Sequence, residues 1–145
     1  MRDFAIELKQ RPGELARVAS VLARHHVTLR SGTALAIGKG IVARFVPSDV
    51  EAARRALDSA NIRFEEHEIV SVLVESRAGE LAMLTTRLSE GGVNVRAIYI
   101  ASTAGNLIEL AIVPDNVEKA RRVLELDTID PCPHEPPSER ADFDR

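Results

Sequence analysis

The stretch Arg11-Pro12-Gly13-Glu14-Leu15 (RPGEL, 11–15) returns sixty-six residues later as Arg77-Ala78-Gly79-Glu80-Leu81 (RAGEL, 77–81). The repetition extends outward from this phrase. Ala16, Leu22, Val27 and Arg30 recur at the same offset as Ala82, Leu88, Val93 and Arg96. Further on the offset becomes sixty-seven, and Pro47, Val50, Glu51, Ala53, Arg54, Arg55 and Leu57 match Pro114, Val117, Glu118, Ala120, Arg121, Arg122 and Leu124. Matches spread this evenly identify two copies of one unit, with one residue gained in the second.

Each copy reads as βαββαβ. Phe4, Ile6 and Leu8 alternate with Ala5, Glu7 and Lys9, as Val70, Val72 and Val74 do in the second copy, which is the period of a strand. After the shared phrase, Leu15, Val18, Ala19 and Leu22 fall at i, i+3, i+4 and i+7, with Leu81, Leu84, Thr85 and Leu88 in the equivalent places. This spacing predicts one apolar stripe on a helix. The helices are expected to end at His25-His26 and at Gly91-Gly92, where glycine suits a left-handed cap. Strands follow near 27–37 and 93–102, hairpin turns at 38–40 and 104–106, and strands at 41–46 and 107–113. Asp49 and Asn116 offer N-caps for helices near 49–59 and 116–126. A strand near 62–67 closes the first copy.

The expected fold class is α+β, with two ferredoxin-like units, antiparallel sheets and helices on one face. The expected domains are 1–67 and 68–130, packed together as a pseudo-symmetric pair, since a unit of this size is near the lower limit for a lone core. In the second copy Pro131 and Pro133 follow Ile129 at once, so its last strand is expected to be short or absent. That leaves a sheet edge open to a partner copy, and a homodimer is expected. Residues 131–145, proline-rich and charged, are expected to form a disordered tail.

With 45% hydrophobic and 28% charged residues, the 145-residue chain has the composition of a globular protein, and its net charge of −3 sets up no strong field for nucleic acid or membrane. The single cysteine, Cys132, permits no internal disulfide. No signal-like segment or membrane-length apolar run occurs, and the expected compartment is the cytoplasm.

The shared phrase has two readings. In one, Pro12 belongs to the first helical turn, Gly13 permits a tight bend, Glu14 complements the helix dipole and Leu15 begins the stripe. In the other, glycine opens the helix start to close approach, and its unpaired N–H groups attract a carboxylate. Gln10 or Ser76 before the turn, and Thr28 or Asn94 beyond the helix, would add oxygens. These neutral groups suit reversible recognition of a free amino acid.

A strand, then x-R-[PA]-G-E-L, then an apolar helix and GGVNVRAIYIASTAGN (91–106) resembles the ACT domain, a small regulatory amino-acid-binding module. The resemblance covers about 3–67 and 68–127 and is closest to stand-alone tandem ACT proteins. It implies a ligand held where two domains meet, between the strand-to-helix turn and the second strand. The residues carried over are Gln10, Arg11, Pro12, Gly13, Glu14, Leu15 and Thr28 in the first copy. In the second they are Ser76, Arg77, Ala78, Gly79, Glu80, Leu81 and Asn94. Family turns commonly place Asn or Asp where Gln10 and Ser76 stand, and Asn at the start of the second strand, which Asn94 matches and Thr28 does not. The resemblance implies a non-catalytic regulatory protein that signals amino-acid binding to a partner, such as a biosynthetic enzyme, with no cofactor or metal. The alternative is an assembly or regulatory subunit without its own ligand.

Rival readings fare worse. RNA-binding relatives of this topology stack bases on strand aromatics, but aromatics total 3% and the third strands offer only Phe45. Metal chaperones of this shape need paired cysteines. Cys132 and His134 lie in the tail, without the rigid scaffold a nucleophile–base pair requires. His25 and His26 diverge on a helix end. His67, with Glu65, Glu66 and Glu68, reads as a solvated acidic link rather than a metal site, and Arg54-Arg55 and Arg121-Arg122 as solvated helix faces. Tyr99 belongs either to the core or to a ligand pocket.

Overall fold

The computed structural model describes residues 1–125 of the chain. The first unit runs β1 (Arg2–Lys9), α1 (Glu14–Arg24), β2 (Leu29–Ile37), β3 (Gly40–Pro47), α2 (Val50–Ser59) and β4 (Glu65–Glu68). The second runs β5 (Val70–Glu75), α3 (Glu80–Glu90), β6 (Val95–Ala104), β7 (Leu107–Pro114) and α4 (Val117–Val123). The first sheet is ordered β2-β3-β1-β4 and the second β5-β7-β6, with every pairing antiparallel. This is the expected α+β architecture of two ferredoxin-like units. Beside β5 no fourth strand lies among the described residues; Ile129, the prolines after it and the expected tail fall outside them.

Register assigns each strand residue to a layer. Phe4, Ile6 and Leu8 pair with Phe45, Ala43 and Ile41, and all face the helices. Val70, Val72 and Val74 pair with Ile112, Leu110 and Ile108 and form the second helix-side core. The helix-free faces of the two sheets meet at a smaller cluster of Val46, Ile69, Ala111 and Val113, flanked by Ala97, Tyr99 and Ala101. The Ser31 hydroxyl on β2 donates to the Ile100 carbonyl on β6, 3.2 Å away.

Local chemistry explains the element ends. Asp49 and Asn116 cap α2 and α4, accepting from Ala52 N and Lys119 N at 2.9 Å each, as their positions predict. At the end of α3, Val93 N donates to the Leu88 carbonyl, closing a left-handed cap on Gly92; His26 takes that conformation after α1. Gly91 is small for a different reason. A Cβ there would sit 2.3 Å from Val123 Cγ2, so α3 and α4 approach closer than a side chain allows.

Several expectations need correction. Helix α1 starts at Glu14 with Gly13 as its cap, so Pro12 precedes the helix instead of opening its first turn. The buried face of α1 is Glu14, Val18, Val21 and Leu22, while Leu15 is 47% exposed and Ala19 is also exposed. Leu81 is exposed likewise. The sharp left-handed turn at Gly13 and Gly79 sets this rotation, directing the glutamate inward and the leucine outward. Strand β4 begins at Glu65, with Ile62 serving as a core plug before it. Helix α4 ends at Val123, earlier than expected, with Glu125 in the left-handed region.

Candidate functional site

The two shared phrases build the same turn. Gly13 (φ 89°) and Gly79 (φ 96°) adopt a left-handed conformation that disfavours any side chain. Nothing lies within 4 Å of where a Cβ would stand at either glycine. Both helix starts are therefore open, and no side chain caps them. Their first N–H groups have no acceptor within the helix, as at any helix start.

The charged residues of the phrase are turned on one another. Arg11 donates from Nε to Glu14 Oε1 at 2.7 Å, bridging the glycine, and Arg17 reaches Glu14 Oε2 at 3.5 Å. Arg77 and Glu80 pair in the same way. The guanidinium of Arg11 holds the Glu14 carboxyl below the usual carboxylate range, against the opposing effect of its burial. Arg11, Glu14, Arg77 and Glu80 thus pin the turn.

A groove of about 440 Å³ opens beside the first turn. Leu15 forms one wall; residues 29–34 of β2 (Leu29, Arg30, Ser31, Gly32, Thr33 and Ala34) and 43–45 of β3 (Ala43, Arg44 and Phe45) line the rest. Of the fourteen residues carried over by resemblance, Leu15 alone lines it. Gln10, Arg11, Pro12 and Gly13 lie exposed on the adjoining turn. Thr28 sits exposed just before β2, its carbonyl accepting from Ser48 N at 2.8 Å. In the second unit Ser76, Arg77, Ala78 and Gly79 are exposed and Glu80 is half-buried. Asn94 is tied to the start of α4: its N–H donates to Asp115 Oδ1 at 3.1 Å, and its carbonyl accepts from Asp115 N at 2.9 Å. The strand residues Leu29, Gly32, Ala34, Ala43 and Phe45 were not among the candidates. Their signal was the small-residue run Ser31-Gly32-Thr33-Ala34 within a strand.

A second, larger groove of about 1030 Å³ runs along β4, between Glu7, Val42 and Arg44 on one side and Arg63, Phe64 and Glu65 on the other. It carries charges of both signs and none of the candidate residues. The acidic run of β4 is not a free patch. Arg54 donates to Glu66 at 2.6 and 2.9 Å, and Arg121 to Glu68 at 3.3 Å. Arg54 holds the Glu66 carboxyl below its usual range. Two arginines expected to face solvent are thus clasps between helix and strand.

Tyr99 belongs to neither of its expected places alone. Its hydroxyl donates to Asp3 Oδ2 at 2.7 Å, across the seam between the sheets. Asp3 is fully buried and also accepts from Arg44 at 2.6 and 3.1 Å, while His67 Nδ1 lies 3.6 Å away. Burial, and then the neighbouring Asp3 carboxylate, push the Tyr99 phenol well above its ordinary value, so it remains a donor.

No protein-family model matches the chain, and no curated protein matches it. Solved structures do. Protein BT0572 from Bacteroides thetaiotaomicron aligns over 86% of this chain and 85% of its own, with 25% identity and a TM-score of 0.77. The ligand-free regulatory subunit of aspartate kinase from Thermus thermophilus aligns over 86% and 89%, with 19% identity and a TM-score of 0.59. Aspartokinase III of E. coli, in complex with lysine and aspartate, matches with 19% identity and a TM-score of 0.52, this chain covering 30% of it. No helix among the described residues is long and apolar enough to cross a membrane. With its repeated strand-turn-helix phrase, two antiparallel sheets and helix-covered cores, the chain has the fold of a tandem ACT protein.

Proposed function

We propose that the protein is a non-catalytic regulator that binds a small free amino acid beside the first strand-to-helix turn and passes that state to a partner enzyme. The observation that carries this reading is the junction of an open helix start at Gly13 with the groove between Leu15 and β2. Main-chain N–H groups at the helix start receive the carboxylate. Gln10, just before the turn, and Thr28, just before β2, are the proposed oxygens for the ammonium. The structural likeness to regulatory subunits of aspartate kinase supports the regulatory role, and an aspartokinase crystallised with lysine and aspartate supports an amino-acid ligand. The proposed setting is cytoplasmic and homodimeric, with the ligand held where two ACT units meet. Occupancy shifts the packing of the units by no more than the ligand's differential affinity for the two arrangements.

A second reading is an assembly subunit with no ligand of its own. Large apolar side chains left open on the helix-free faces favour it, with Leu35 62%, Ile37 59% and Leu73 65% exposed.

Melting of the full chain in the presence of each of the twenty amino acids separates the two. A true ligand at a hundredfold excess over Kd stabilises by about 2.7 kcal/mol. One amino acid, or a few related ones, is expected to raise the melting temperature, and Gly13→Val is expected to abolish that rise. A flat screen removes the sensor reading and leaves the assembly one.

A further inference from the structure

The two turns are alike, but the strands beside them are not. In the first unit Gly32 pairs with Phe45 and Ala34 with Ala43. In the second, Ile98 pairs with Ile112 and Ile100 with Leu110. The repeat makes these the same places: Gly32 and Ala34 correspond to Ile98 and Ile100 at an offset of sixty-six, and Ala43 to Leu110 at sixty-seven. The three positions that floor the groove beside Leu15 thus hold glycine, alanine and alanine in one copy, and isoleucine, isoleucine and leucine in the other.

From this exchange we infer that the chain has one amino-acid site, not two, and that the site selects an aliphatic side chain. Three positions bordering the groove in the first unit lack the carbons that their counterparts carry in the second. The groove's volume of about 440 Å³ falls within the usual range of small-molecule sites. Leu15, Leu29, Ala34 and Phe45 present hydrocarbon to whatever enters. Ser31, Thr33 and Arg44 also border the groove, but they alternate along the strands with Gly32, Ala34, Ala43 and Phe45 and belong to the opposite face, where Arg44 is held by Asp3. Arg30, at the bulge between Leu29 and Ser31, is the one further charged residue at its edge. A charged or amide side chain loses more hydration against this floor than it regains, whereas an aliphatic one gains by leaving water. Gly32 keeps the floor low, since a Cβ on it would meet the Arg44 carbonyl oxygen at 3.0 Å and Phe45 Cβ at 3.3 Å. In this view the second turn is the same scaffold with its side-chain space filled. It contributes to the fold and to the surface the protein offers, and it takes no ligand.

The inference rests on the amino-acid-sensing reading above, and the following experiment tells their failures apart. The full chain is titrated calorimetrically with alanine, valine, leucine, isoleucine, lysine and aspartate. One or more of the four aliphatic probes is expected to bind at one equivalent per chain, with lysine and aspartate at least about tenfold weaker. Ala34→Ile, which installs the residue the second unit already tolerates, is expected to remove binding while far-UV circular dichroism and melting stay native-like. Ile100→Ala is expected to leave the affinity and the single equivalent unchanged. Two equivalents per chain, or retained binding in Ala34→Ile, or a loss in Ile100→Ala as large as that in Ala34→Ile, overturns the single-site assignment. Preferential binding of lysine or aspartate, lost in Ala34→Ile, overturns the aliphatic class and leaves amino-acid sensing standing. No binding of any of these six probes overturns the aliphatic assignment, and a melting screen that is also flat for all twenty amino acids removes the sensing reading with it.

Discussion

Glu14 brings a carboxylate into a nearly closed position at the start of α1, where it is 8% exposed. Arg11 and Arg17 make that placement tolerable, and the glycine between Arg11 and Glu14 lets the chain double back so that the first pair can meet. Because the folded protein holds the Glu14 carboxyl below its unfolded value, the pair's contribution is complete above the ordinary carboxylate range. It is lost as the pH falls through the depressed value. Urea unfolding at pH 7 and near pH 3 tests this. The native chain is expected to lose more stability over that interval than Glu14→Gln, and equal losses contradict the assignment. The arginine–glutamate spacing was plain in the sequence. What the sequence could not supply was the orientation of α1. Stripes at 15, 18, 19 and 22 or at 14, 18, 21 and 22 share two members, and only the backbone turn decides between them.

At the scale of elements the repeat was the better guide. Capping residues and turn residues stop strands and start helices through local hydrogen bonds, so α2 and α4 were legible from Asp49 and Asn116. Asp49→Ala is expected to cost about 1 kcal/mol in equilibrium unfolding. An unchanged midpoint denies the Asp49–Ala52 bond that role. Element ends set by distant partners were not legible. Ile62 belongs to the first core before β4 begins, because the chain must first cross the end of α2. The paired arginines illustrate the same limit. Arg54 and Arg121 looked like solvent-facing repeats, yet each reaches an acid that the sheet brings opposite it.

The whole molecule turns on a buried charge that no periodicity announces. Asp3 occupies a strand position between Arg2 and Phe4, and nothing local marks it as the centre of a seam between two sheets. It holds Arg44 of its own unit and Tyr99 of the other. Tyr99→Phe removes the donor and leaves an acceptor on a buried carboxylate unfilled, so a loss of about 1–3 kcal/mol is expected in denaturant unfolding. Wild-type stability in that variant means the seam does not depend on this bond. The candidate groove was half legible for a related reason. The helix-start glycines were visible, but the importance of Gly32 and Ala34 emerges only when register sets them against Ala43 and Phe45.

The tight approach of Gly91 to Val123 has a counterpart in the first unit. There the repeat places His25 where Gly91 stands and Ala56 where Val123 stands. The larger residue of the pair lies on the other helix: histidine with alanine in one copy, glycine with valine in the other. His25 has meanwhile acquired a neighbour of its own, the Ser59 hydroxyl at 3.4 Å. Histidine at 91 alone would drive its side chain into Val123, and alanine at 123 alone would leave a hole beside Gly91. The two halves of this protein are locks cut to different keys, and a fragment of one is not interchangeable with its counterpart in the other.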